Sequence, residues 1–458
     1  MKEIVASGDL KIGMFVSDLD RPWIDSPFLL QGFVIEDVET LDRLRGLCRY
    51  VAVDPARSVG EQQRARPVDD VSSRVGDSLR GRARPAPVVA SGDGARLPDF
   101  LQILRTIRSG RLDELSKFNG DDGSRDASRS RLAAHSDRIR ERTRVERELI
   151  EVAPRFESTR VALDRVLDDV RQNLSPDLGT LREGVEDMVR SVARNPDALL
   201  WLTRLKSSHE GSYQHALHAS VHMMIFARSL GMGEAITQML GLSGMLHDVG
   251  KLRLPSRLLQ KTARLTSIEY EIFKTHVDFS LAILRDSPGV PKEVLEVVER
   301  HHERFDGSGY PRGLAGDKIG MFAEVAGLVD SYTAMTNARE YSSVYSTHQA
   351  LEDLIKLRGT KHRESLVDQF IQCIGIYPVG SLVELNTGEV AVVIGQNRIR
   401  RLRPRVMVLL APDKSQNTYP PLLDLLYDPL TPAGEVYAIV RALPPDAYGI
   451  DPQEFYLG

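Results

Sequence analysis

The sequence predicts a multi-domain, mainly α protein with a small α+β domain at its N-terminus and a small β-rich segment at its C-terminus. Three observations predict it. Apolar residues recur at helical spacing through residues 146–372. Short β-rich runs flank one amphipathic stretch within residues 1–56. After Tyr377-Pro378 the pattern becomes that of strands. The length of 458 residues, at roughly 150 per domain, agrees with several domains.

In residues 1–56 the runs Met14-Phe15-Val16, Gly32 to Ile35 and Tyr50 to Val53 read as strands, and Val38 to Leu47 as a helix. Residues 57–98 hold eight Arg, no Lys and four Pro with few large apolar side chains. Such a segment buries too little surface to offset its ordering entropy, so 57–145 is expected to be a charged linker, largely disordered. One short helix near 99–110 is expected inside it, from Phe100, Leu101, Ile103, Leu104 and Ile107.

In the helical region, Leu163, Val166, Leu167, Val170 and Leu174 define one buried face. Ser175-Pro176 and Asn195-Pro196 each place a capping residue before a first-turn proline, and Thr266 to Glu269 fits a capping box. Beyond 373, Ser381 to Leu385 and Glu389 to Ile394 read as a hairpin turning at Asn386-Thr387-Gly388, with a further strand at Arg405 to Leu410.

Hydrophobic residues make up 42% and charged residues 27% of the chain, as in soluble globular proteins. Lys+Arg 60 against Asp+Glu 64 leaves a net charge of −4, which speaks against a partner bound by bulk positive charge, such as a nucleic-acid polymer. No membrane span and no signal peptide are expected, and Cys48 and Cys373 form no disulfide framework; a cytoplasmic protein follows.

The helical region carries an unusual set of side chains. His215 lies on a helix read as Tyr213 to Leu230. His247-Asp248-Val249-Gly250-Lys251 ends the next helix, with Gly250 expected as its left-handed stop. His276 is placed on the helix opened by the capping box. His301-His302 end another helix before the loop Glu303 to Pro311, and Asp330 sits on a helix from Met321 to Thr336. One histidine on an amphipathic helix is usually a packed or surface residue. Five histidines and two aspartates in one helical domain, all ligand types for first-row metals, form a joint signal.

The string His247-Asp248-Val249-Gly250-Lys251, followed by His301-His302-Glu303 and Asp306-Gly307-Ser308-Gly309-Tyr310-Pro311, resembles the HD-GYP family, a branch of the HD phosphohydrolases. The likeness spans about 195 to 345. Residues 11–54 also resemble a small N-terminal domain of unknown function often joined to it. The resemblance implies an HD-type helical bundle and a metal-dependent phosphodiesterase of bacterial second-messenger signalling, hydrolysing cyclic di-GMP to pGpG, GMP or both. By motif, His215, His247, Asp248 and Asp330 would hold one divalent metal, and Asp248, His276, His301 and His302 a second, with Asp248 bridging. Fe or Mn is expected, with Ni, Co and Zn as alternatives. Two such cations neutralise a phosphodiester and lower the pKa of a bridging water to give hydroxide.

The remaining candidates each have two readings. Lys251 places a cation near a phosphate oxygen, or is a helix-end lysine favoured by the macrodipole. In the substrate-binding loop, Asp306, Gly307, Gly309 and Pro311 shape a tight backbone, and Tyr310 either stacks on a guanine or fills a local core. Arg339 matches the family's R-x-Y and is a phosphate clamp or a solvated side chain. His218 and His222 are read as lining the core near the site rather than binding metal. Departures from the family pattern are Gly211, which favours a two-metal centre, and Thr333 and Ser342, which weaken the grip on ligand. Thr333 and Ser342 keep open a non-catalytic receptor that binds cyclic di-GMP or a module binding GGDEF-domain proteins, and an HD hydrolase for another nucleotide, such as a different cyclic dinucleotide, is a third reading. A homodimer is left open.

Overall fold

The computed structural model describes residues 3–19, 33–35, 37–48, 50–55, 58, 102–104, 106–107, 109–118, 145–205, 211–261, 263–336, 347–397, 400–417, 420–444 and 447–450. The chain divides into two compact units between Arg96 and Leu97.

The first unit holds β1 (Glu3–Ala6), β2 (Phe15–Leu19), β3 (Phe33–Val34), α1 (Val38–Leu47) and β4 (Tyr50–Val53). The strands form one antiparallel sheet in the order β1-β4-β2-β3. The helix starts at Asp37, whose carboxylate accepts from Thr40 N at 2.6 Å. Leu41 and Leu44 of α1 are buried with Val16, Val51 and Val53 of the sheet. The expected strands are present, and β1 pairs with β4 without having been expected. Apart from Ser58, residues 57–98 lie outside the described residues.

The second unit is mostly helical. Its helices are α2 (Val145–Arg171), α3 (Gly179–Arg194), α4 (Pro196–Leu205), α5 (Gly211–Ser229), α6 (Glu234–Leu246), α7 (Ser256–Leu259), α8 (Ser267–Lys274), α9 (His276–Arg285), α10 (Lys292–Arg300), α11 (Met321–Thr336), α12 (Thr347–Leu357) and α13 (Glu364–Ile374). Residues 102–104 and 106–107 are helical as well, and Ile103, Leu104 and Ile107 are buried in the core with Leu149 and Phe156 of α2. That stretch of the expected linker is therefore packed rather than solvated. On α2, Leu163, Val166, Leu167 and Val170 are buried as expected, but Leu174 is 54% exposed because the helix stops at Arg171. The capping signal at Asn195 opens α4 directly, whereas α3 begins only at Gly179, where Asp177 Oδ1 accepts from the backbone N–H at 2.9 Å. No helix among the described residues is long and apolar enough to cross a membrane.

The same unit ends in a sheet of β5 (Leu382–Leu385), β6 (Val390–Gly395), β7 (Arg405–Leu410), β8 (Leu422–Asp424) and β9 (Ile439–Ala442). The order is β8-β7-β6-β5-β9, all antiparallel. The expected hairpin is β5–β6. The central strands read as unbroken apolar runs because both their faces are covered. Leu382, Val390, Val392, Ile394, Met407 and Leu409 enter the helical core, while Val383, Ala391, Val393, Val406 and Val408 pack under Leu425 and Tyr437. Trp201 of α4, fully buried, donates from Nε1 to Ile394 O at 3.0 Å, and Asp197 accepts from Gln396 N at 2.8 Å. The C-terminal segment thus packs on the helical core through α4. Trp201→Ala is expected to lower stability by about 3–5 kcal/mol, measured as a shifted midpoint in chemical denaturation.

Candidate metal centre

Five helix ends and faces bring the seven side chains together. α5 supplies His215, and His247, the residue before Asp248, caps the C-terminal end of α6. α9 begins with His276, α10 ends at His301 with His302 next in line, and α11 contributes Asp330. Two sets form, His215, His247, Asp248 and Asp330 on one side, and Asp248, His276, His301 and His302 on the other. Within each set the ligand atoms lie within 4.8 Å of one another. The two Asp248 oxygens divide between the sets. Oδ2 faces His247 Nε2 at 3.3 Å and His215 Nε2 at 3.6 Å. Oδ1 faces His276 Nε2 at 3.4 Å and His301 Nε2 at 3.9 Å. Asp330 Oδ1 lies 2.8 Å from His215 Nε2, and His276 Nε2 lies 3.1 Å from His302 Nε2.

The backbone sets the orientation of the rings. Nδ1 of His247, His276 and His301 lies 3.0, 2.7 and 2.7 Å from the carbonyls of Gly244, Phe273 and Val298, three residues back in each case. A proton on each Nδ1 donates to that carbonyl and leaves an Nε2 lone pair aimed inward, the arrangement in which histidine binds metal. His247 Nε2, His301 Nε2 and Asp248 Oδ1 are buried and make no hydrogen bond. Orphaned acceptors at the focus of an imidazole and carboxylate cluster are what a divalent cation satisfies, so the residues present fit a metal.

Burial alone would raise the Asp248 carboxyl, but the Lys251 ammonium and His247 hold it well below the ordinary carboxylate range. Asp330 is likewise held low against burial by His215 and His247. For His247, burial is outweighed by the two neighbouring carboxylates, which push its pKa up to about 10, so a proton on Nε2 holds the place that a metal cation would take from it. Burial, with His247 alongside, pushes His301 down to about 3, and His302 is pushed well below its ordinary value.

Two expectations about this region need correction, and one of two readings of Lys251 is favoured. Gly250 is not a left-handed stop; it lies in a 3₁₀ turn, Val249–Arg253, and has no positive φ. A Cβ there would stand 2.1 Å from His276 O and 2.3 Å from Ser280 N, so the glycine is needed for close backbone approach. His276 is not on the capping-box helix. The box is present on α8, as expected, but that helix stops at Lys274 and His276 opens α9. Lys251 pairs directly with Asp248 and stands 5.4 Å over the Phe273 ring, so it faces the cluster instead of only closing a helix.

The loop after His302 is fastened by its own residues. Glu303, read only as part of the motif, accepts from Arg312 N at 2.7 Å and Leu314 N at 2.9 Å. Asp306 accepts from Ser308 and pairs with Lys361 at 3.0 Å, and these partners hold its carboxyl below the ordinary range. Gly307 takes a φ of 78°, and a Cβ on Gly309 would lie 2.4 Å from Arg304 N. Tyr310 precedes Pro311 and stacks on His302 with ring centres 4.6 Å apart, its edge toward Tyr270 at 6.1 Å. Burial, reinforced by Tyr270 and Asp248, pushes its hydroxyl well above the ordinary value, so it stays a neutral donor.

His218 Nε2 lies 3.0 Å from Thr203 O, and His222 packs edge-on to Tyr332, so both line the core as expected. Thr333 is buried and bonds Val329 O within its own helix. Arg339 and Ser342 lie outside the described residues. Ser280 also went unread in the sequence: its hydroxyl accepts from Gly250 N at 2.8 Å and donates to His247 O at 3.0 Å.

Residues 200–365 match the family described as HD domain, and residues 4–92 match a domain of unknown function, DUF3391. The chain is 28% identical over 442 residues to a cyclic di-GMP phosphodiesterase of Pseudomonas aeruginosa, covering 96% of this chain and 91% of that protein. It is 33% identical over 147 residues to a cyclic di-GMP phosphodiesterase of Thermotoga maritima, 32% of this chain and 40% of that protein. A 3'3'-cGAMP-specific phosphodiesterase of Vibrio cholerae is 32% identical over 154 residues, 34% of this chain and 36% of that protein.

The core histidine His222 generates a pH prediction. Burial pushes its pKa down to about 3. Between pH about 6.5 and about 3 the unfolded chain therefore binds a proton that the folded chain does not, and stability falls as pH drops through that window. The contribution is up to about 1.4 kcal/mol per pH unit. His222→Gln is expected to flatten the acid side of the stability profile, read from denaturation midpoints at successive pH values.

Proposed function

We propose, for a chain that belongs to the HD-GYP family, that the helical unit hydrolyses a phosphodiester of cyclic di-GMP at a centre of two divalent cations. The observation that supports this best is the division of the Asp248 oxygens between two imidazole sets. His215, His247, Asp248 and Asp330 would hold one cation, and Asp248, His276, His301 and His302 the other. Imidazole and carboxylate donors suit Fe or Mn. When bound, the cations supply Lewis acidity and a water of lowered pKa.

The chain's own residues do the rest. Asp248, kept ionised by Lys251, carries the negative charge that both half-sites share. The carbonyls of Gly244, Phe273 and Val298 hold three rings in one tautomer, so no reorientation is required when the site is filled. Lys251, with 28% of its side chain exposed, meets the phosphate's charge from beside Asp248. Tyr310 stays protonated over His302 and donates from its hydroxyl. Glu303 holds the loop that carries Tyr310 by two backbone bonds.

A second reading, a different cyclic dinucleotide as substrate, is favoured by the likeness to the 3'3'-cGAMP-specific enzyme of Vibrio cholerae. Protein loaded anaerobically with Fe(II) or Mn(II) and offered cyclic di-GMP and 3'3'-cGAMP separates the two, with chromatography of the products. Turnover of cyclic di-GMP is expected. Tight binding without turnover under either metal would instead indicate a receptor.

Asp248→Ala and His301→Ala are each expected to lower the bound metal below two per chain and to cut turnover by at least about 100-fold, since even outer-sphere losses cost 10–100-fold. Full metal content in either variant would remove that residue from the ligand set.

A further inference from the structure

We infer that Ser280 is a positioning residue that sets the spacing between the two halves of the metal centre; the inference rests on the two-cation reading above. His247 and Asp248 arrive on α6 and the turn after it, and His276 arrives on α9. These are separate elements, and nothing in their local backbone fixes how far apart their ligands stand. Gly250 and Ser280 fix it. The turn lies so close to α9 that a Cβ on Gly250 would meet His276 O at 2.1 Å. Ser280, fully buried and one turn after His276, then uses both capacities of its hydroxyl. It donates to His247 O at 3.0 Å and accepts from Gly250 N at 2.8 Å. Those two groups flank Asp248, so the backbone of the shared carboxylate is gripped on both sides from the helix that carries His276.

Ser287 and Thr333, two other buried hydroxyls, behave differently. Ser287, also on the α9 side, donates to Ile283 O at 2.8 Å, and Thr333 to Val329 O at 2.8 Å, each four residues back along the chain. Such bonds stay within one element and relate no two elements to each other. Ser280 instead reaches across. Its loss would leave Gly250 N–H and His247 O buried without their partner, and the turn would relax away from α9. The first effect would fall on the 3.4 Å approach of Asp248 Oδ1 to His276 Nε2, on which the second half-site depends.

The test uses the full chain loaded with Mn(II), comparing the parent protein with Ser280→Ala, Ser280→Cys and Ser287→Ala. Bound Mn per chain and the electron paramagnetic resonance signal of a spin-coupled Mn pair are read together with the unfolding temperature. The parent is expected to bind two Mn and show the coupled signal, and Ser287→Ala to match it. Ser280→Ala is expected to bind the second Mn at least about tenfold more weakly, in the range of outer-sphere losses, and to show isolated Mn(II) instead. Unchanged affinity and coupling in Ser280→Ala would overturn the inference while leaving the two-cation reading intact. If Ser280→Ala does not fold, Ser280→Cys carries the test: its longer, weaker sulfur bonds should shift the coupling, and an unshifted signal overturns the inference. A parent that binds fewer than two Mn overturns the two-cation reading itself, and this inference with it.

Discussion

A carboxylate buried among imidazoles and shared by two sides of a pocket is the constraint on which this structure turns. Asp248 is kept ionised in a place where burial opposes charge. A second carboxylate, Asp330, is buried 2.8 Å from His215 and ionised as well. Negative charge packed so densely in a buried site demands positive charge, and the part-exposed Lys251 provides one cation. The inward Nε2 atoms of His247 and His301, buried and without hydrogen bonds, stand where a metal cation could meet those oxygens.

The fold serves that constraint mainly through its backbone. Helix ends, rather than helix middles, deliver His247, His276 and His301, and each ring is oriented by a carbonyl of its own last or preceding turn. Where two backbones must nearly touch, as at Gly250 against α9 and Gly309 against Arg304, a side chain would have no room. The C-terminal sheet is fastened to the bundle through Trp201 and Asp197 of α4. The GYP loop is less a free arm than a bolted one, held by Glu303 within and by Lys361 from outside.

Much of this was legible in the sequence, and the parts that were not share a cause. The helix from Met321 to Thr336, the capping box at Thr266 and the β5–β6 hairpin follow from local signals, since caps, periodicity and turn chemistry are set by neighbours in the chain. The grouping of the seven candidate side chains came from motif likeness, and they lie together in two sets that could hold a metal. What escaped depends on distant partners. Gly250 looked like a helix stop because its real neighbour, His276 O, is remote in sequence. The break between α8 and α9 at Thr275 carries no proline or glycine to announce it. Ser280 and Glu303 are ordinary polar residues until the groups they hold are in view.

The claim that two cations share Asp248 is tested most directly by anomalous diffraction at the manganese edge from crystals of the Mn-loaded protein. The account predicts two peaks about 3.5–4 Å apart, one on each side of the Asp248 carboxylate and each within bonding distance of its own histidines. A single peak, or two peaks of which either lies away from Asp248, would contradict it.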